Sequence, residues 1–112
     1  MLKMILTVKE IEDRVKPVAE KYDIPIVYIF GSYARNEADK QSDIDFLVST
    51  KGLSEENRWL VYSDFFDDLK EAVEHDIDLV EIEAFLESGQ TSYQKEFFER
   101  ILKERVKIFE RK

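Results

Sequence analysis

Seven consecutive residues, Ile24 to Phe30, read IPIVYIF and stop at Gly31 and Ser32; a second apolar run, Asp43 to Ser49, reads DIDFLVS. The first is an unbroken β-branched and aromatic stretch of strand length, the pattern of a strand covered on both faces. It predicts a central strand ended by a tight turn, after which Tyr33 to Ala38 has the composition of a short helix. In the second run the residues alternate across the pleat. Ile44, Phe46 and Val48 therefore share one face, and Asp43, Asp45 and Leu47 share the other.

The remaining segments supply layers for these strands. Thr7 with Glu10 reads as a capping box, and Val8, Ile11, Val15 and Val18 follow at helical spacing, which predicts a helix over 8–22. Pro17 removes a backbone donor inside it and is expected to kink or divide it. Residues 36–42 are polar and loop-like. Ser54 is placed to cap a helix running to Val73, with Trp59, Tyr62, Phe66, Leu69 and Val73 forming a stripe toward the core. Residues 76–83 suit a third strand and 91–103 a final helix carrying Phe97, Phe98, Ile101 and Leu102. Val106, Ile108 and Phe109 fit either an edge strand or an extension of that helix. The fold class expected is α+β: a two-layer domain over residues 1–112, with a mixed sheet and helices packed against it.

Composition narrows the chemistry. There is no cysteine and one histidine, so any metal must be held by oxygen, which suits Mg²⁺, Mn²⁺ or Ca²⁺. The net charge of −8 is the opposite of the basic footprint that binds nucleic-acid backbone, so a polynucleotide is not expected as the main substrate. No apolar run reaches the roughly 20 residues needed to span a bilayer, and the first ten residues do not form a secretory signal, so no membrane association and a cytoplasmic location are expected.

The candidate site lies where the two strands open. A turn from a buried strand into a helix presents backbone N–H groups and the positive end of the helix dipole to an anion. Gly31 would let the backbone approach such a ligand, and the Ser32 hydroxyl adds a donor; by themselves, however, these two residues read more readily as an ordinary turn. Asp43 and Asp45 lie about 6.6 Å apart on one strand face, a placement suited to bridging a pair of divalent ions. Asp43 alone could simply open the strand, but Asp45 sits between Ile44 and Phe46. Asp78, inside IDLV, would be costly to bury unpaired, and a metal or a substrate hydroxyl would resolve that cost. Asp76 competes with it but lies at the strand mouth. His75 is assigned to the surface and Trp59 to the core.

Residues 31–48, GSYARNEADKQSDIDFLV, resemble the signature of the DNA polymerase beta-type nucleotidyltransferases, in which Gly-Ser is followed by ten residues and then Asp-x-Asp. At average residue usage, a chance match in a chain this long is on the order of one in a thousand. The short chain further resembles the minimal nucleotidyltransferase (MNT) group. Asn36 departs from the glycine more common there, although asparagine tolerates a left-handed backbone. The resemblance implies that Gly31 and Ser32 hold the triphosphate, Asp43 and Asp45 bind metal, and Asp78 completes the set and helps activate the attacking hydroxyl. Arg35 would be a further phosphate ligand, with a solvated helix residue as its plain alternative. It also implies Mg²⁺ or Mn²⁺ as cofactor, ATP as substrate, and a helical HEPN-type toxin as partner and AMP acceptor, in a homo- or hetero-oligomer. The alternatives are an antitoxin that neutralises its partner by binding alone, and a transferase acting on a small molecule.

Overall fold

The computed structural model describes residues 4–53, 55–87 and 91–112. Its elements run α1 (Val8–Lys21), β1 (Ile26–Phe30), α2 (Gly31–Ala34), β2 (Ile44–Ser49), α3 (Glu55–Val73), β3 (Ile77–Glu81), α4 (Ile82–Glu87), α5 (Ser92–Glu104) and β4 (Val106–Glu110). Thr7 caps α1 as its spacing predicts: its hydroxyl accepts from the Glu10 N–H at 3.0 Å, and the Glu10 carboxylate accepts from the Thr7 N–H at 3.1 Å. The helix then runs through Pro17 as one element rather than dividing. Thr7→Ala should cost about 1 kcal/mol, readable as a lowered urea midpoint with an unchanged slope. The cap expected at Ser54 lies outside the described residues.

The four strands form one mixed sheet in the order β3-β2-β1-β4. β1 is antiparallel to both β2 and β4, while β2 and β3 are parallel, so the two strands with the strongest apolar runs occupy the centre. Val106 to Glu110 resolves as an edge strand, because Arg105 leaves α5 with extended backbone and ends the helix there. β3 is shorter than its apolar pattern suggests: the chain turns at Ile82 into α4, an element that the sequence did not announce. From α4, Glu83 accepts from the Ser49 hydroxyl at 2.6 Å and the Thr50 N–H at 2.7 Å, tying off the end of β2.

One sheet face carries the main core. Val27, Ile29, Ile44, Phe46, Val48 and Leu79 pack beneath α1 and α3, whose Ile11, Val15, Ala19, Phe65, Leu69 and Val73 are buried. The opposite face is covered only in part, where Ile101 of α5 closes on Phe30 and Leu47, with Tyr28, Val80 and Phe98 around them. Two assignments change. Trp59 is 71% exposed, whereas the rest of its stripe, Tyr62, Phe66, Leu69 and Val73, does face the core together with Phe65. His75 is buried rather than superficial: its ring meets Tyr33 edge-on at 6.1 Å, and neither its Nδ1 nor the Tyr33 hydroxyl has a hydrogen-bond partner among the described residues.

Candidate active site

Strand register, more than burial, assembles the site. In adjacent strands Phe30, Asp45 and Asp78 are direct partners, so they form one row across β1, β2 and β3. On β2 the residues facing away from the main core are Asp45, Leu47 and Ser49; Leu47 lies under α5 and Ser49 is held by Glu83. Asp45 is thereby left at the open end of a half-covered face. Asp43 stands just before β2, exposed, and the Ile44 N–H donates to the Asp76 carbonyl at 3.1 Å, which fixes how β2 and β3 enter the sheet together. These residues border a cleft of about 450 Å³ whose lining includes Gly31, Ser32, Arg35, Asp43, Asp45 and Asp78. All six residues singled out in the sequence thus share one cavity.

Electrostatic crowding is concentrated at Asp45. Burial, followed by the Asp78 and Asp43 carboxylates, pushes its carboxyl from 3.8 up to about 6, and Arg35 offsets only part of this. Asp78 is exposed, so the burial cost that selected it in the sequence is not what places it here; its position beside Asp45 is. As the side chains stand, no group of three acidic or histidine residues among those described is arranged to hold a metal ion. The donor set still fits a hard divalent cation, since it is all oxygen, and an underneutralised carboxyl marks the place where positive charge is missing. Strands roughly 4.8 Å apart leave Asp45 and Asp78 within side-chain reach of a shared ion.

The turn at Gly31 is more constrained than its composition suggests. Gly31 has φ +70°, and a Cβ built there would lie 2.0 Å from Asp45 Oδ2. The glycine therefore makes room first for the carboxylate. Asn36, at φ 60°, takes the left-handed backbone that lets the chain leave α2. α2 has only one turn, too short for much dipole, so the groups at this end of the cleft that could meet an anion are the Gly31 amide, the Ser32 hydroxyl and the Arg35 guanidinium.

Four cleft residues come from α5: Phe97, Arg100, Ile101 and Glu104. Sequence reading placed Phe97 and Ile101 on a helix without linking them to the site, and missed Arg100 and Glu104. No motif spacing connects residues some seventy positions apart. The one available signal was the apolar spacing of Phe97 and Ile101, which predicts that α5 lies against a sheet.

The family model for polymerase beta nucleotidyltransferases matches residues 13–112. The chain belongs to that family. Among curated relatives of this nucleotidyltransferase, one from Methanocaldococcus jannaschii, named "Putative protein adenylyltransferase", is 39% identical over 67 residues, covering 56% of this chain and 68% of that protein. A second of the same name and organism is 46% identical over 48 residues, and the match spans 49% of its length. Among solved structures, one described as "putative minimal nucleotidyltransferase" superposes with a TM-score of 0.63 at 21% identity, covering 90% of this chain and 95% of that one. A chain from the structure of a "tri-AMPylated Shewanella oneidensis HEPN toxin in complex with MNT antitoxin" superposes with a TM-score of 0.58 at 18% identity, covering 94% and 74%. At these identities the superpositions establish the fold: the α+β architecture with a mixed sheet is that of minimal nucleotidyltransferases. No helix among the described residues is long and apolar enough to cross a membrane.

Proposed function

We propose that this nucleotidyltransferase is a single-domain cytoplasmic protein adenylyltransferase that transfers AMP from ATP to a protein hydroxyl, on a helical HEPN-type toxin, and so acts as its antitoxin. The observation that carries the reading is the row in which Asp45 stands between the Gly31 turn and Asp78. Relatives named as protein adenylyltransferases, and a fold shared with a chain from a toxin–antitoxin complex containing AMPylated toxin, support the acceptor class.

Asp43, Asp45 and Asp78 would hold Mg²⁺, or Mn²⁺ in its place, which when bound neutralises the charge that builds on the phosphoryl oxygens. The Gly31 amide, the Ser32 hydroxyl and Arg35 orient the triphosphate along the cleft. The acceptor oxygen then bonds to the α-phosphorus as the bond from that phosphorus to the bridging oxygen of pyrophosphate breaks. Asp78, exposed at the mouth of the cleft, receives the hydroxyl proton, and pyrophosphate leaves. A net charge of −8 favours encounter with a basic partner.

To test this, the chain is incubated with α-labelled ATP, Mg²⁺ and the helical protein encoded beside it, and adducts are mapped by mass spectrometry. AMP on a hydroxyl of that partner is expected. Efficient labelling of a free aminoglycoside with the partner left unmodified would overturn the proposal.

A further inference from the structure

Two of the donors assigned above to phosphate, the Gly31 amide and Arg35, are already engaged by one side chain, and Arg35 Nε donates in addition to Glu37 Oε1 at 3.0 Å. The Gly31 N–H donates to Glu104 Oε1 at 3.0 Å, and Arg35 Nη1 donates to Glu104 Oε2 at 2.9 Å. The Glu104 side chain is only 16% exposed while that of Arg35 is 43% exposed, so the carboxylate and its bond to the Gly31 amide are partly withdrawn from water and the guanidinium is not. A carboxylate spanning a backbone amide and a guanidinium uses two oxygens on one edge, as a phosphate does. It is also an added negative charge against Asp45.

A triphosphate cannot share the Gly31 N–H with Glu104, because that amide has a single hydrogen and it is directed at the carboxylate. The Arg35 guanidinium has further N–H groups, but a second anion placed on it beside Glu104 would be repelled by that carboxylate. We infer that Glu104 is a built-in phosphate surrogate: it holds the Gly31 turn and Arg35 in their binding arrangement while the cleft is empty, and the nucleotide must displace it in order to bind. This rests on the reading that the turn and Arg35 take phosphate.

The position of Glu104 permits the exchange. It is the last residue of α5, after which Arg105 is extended, so its side chain can swing without unwinding the helix interior. Arg100 is one turn earlier on the same helix and lines the same cleft, within the i,i+4 reach that could receive the released carboxylate. Glu104 is thus a positioning and competing residue whose removal should improve binding of phosphate-bearing ligands, the reverse of what loss of a ligand contact would do.

Titration calorimetry with ATP and Mg²⁺, and in parallel with adenosine, on folded wild type, Glu104→Gln, Glu104→Asp and Arg35→Gln tests this. Glu104→Gln keeps the side-chain size but loses the charge, and is expected to lower the Kd for ATP about tenfold while leaving that for adenosine unchanged. Glu104→Asp, which retains the charge, should stay within about threefold of wild type. If Arg35→Gln weakens ATP but Glu104→Gln weakens it too or leaves it alone, the surrogate role is overturned and the phosphate reading stands. Equal tightening of ATP and adenosine overturns it as well, because the effect would not pass through phosphate. Unchanged ATP affinity in Arg35→Gln removes the phosphate reading, and this inference falls with it.

Discussion

Asp45→Asn is expected to make the metal-free protein more stable and the enzyme inert. The Asp45 carboxyl is raised from 3.8 to about 6 in the fold. A group raised on folding stabilises most below its unfolded value and loses that contribution as pH climbs through its folded one. Stability without metal should therefore fall between about pH 4 and pH 6. The group is half-buried, so after discounting for solvent screening the effect is on the order of 1 kcal/mol. At pH 7.5 Asp45→Asn should accordingly melt about 3 to 6 °C above wild type. Adding Mg²⁺ with ATP should raise the wild-type melting temperature and leave that of the variant in place. Losing several kcal/mol of charge stabilisation at the reacting phosphate should lower AMP transfer by about 10³-fold or more. Scanning calorimetry across pH, paired with the labelling assay, reads all of these; a variant that melts lower than wild type at pH 7.5 and still transfers AMP would remove Asp45 from the site.

Gly31→Ala should damage stability and binding together. The left-handed backbone at Gly31 costs an alanine about 1 to 2 kcal/mol, and the new Cβ would stand 2.0 Å from Asp45 Oδ2, forcing that carboxylate out of its row. A fall of about 5 to 10 °C in melting temperature is expected, with loss of measurable ATP binding. In an Asp45→Ala background the obstructing oxygens are gone, so Gly31→Ala should cost less there by about 1 kcal/mol, a coupling that a double-mutant cycle isolates. Strict additivity would show that the contact between residue 31 and Asp45 carries no energy.

These two residues also show what the sequence could convey. Asp45 was legible because a carboxylate flanked by Ile44 and Phe46 is out of place in a buried strand, and Gly31 because it ends an apolar run; both signals are local. Asp78 was selected on a burial argument that its exposure does not support, yet it occupies the expected place because parallel register sets it beside Asp45. Register is a property of two strands, and no single strand's pattern reports it. The same limit explains Trp59 and His75: the α3 stripe holds at Tyr62, Phe66, Leu69 and Val73, but at Trp59 the helix has no buried neighbour to meet among the described residues, and the burial of His75 depends on Tyr33, far away in sequence. Glu104 had no signature, since its meaning comes entirely from what it touches.

The last strand gives the cleft an unusual mooring. β4 pairs with β1 from Ile29 and Val106 to Ile26 and Glu110, and Glu104 lies two residues before it. The helix that closes the cleft is therefore anchored to the sheet through an edge strand, whose hydrogen bonds open more readily than those of the interior. If a ligand draws Glu104 away from Gly31 and Arg35, the strain passes into the first residues of β4. Amide hydrogen exchange at Val106 and Lys107 then becomes a gauge of cleft occupancy, read from residues outside the lining of the cleft.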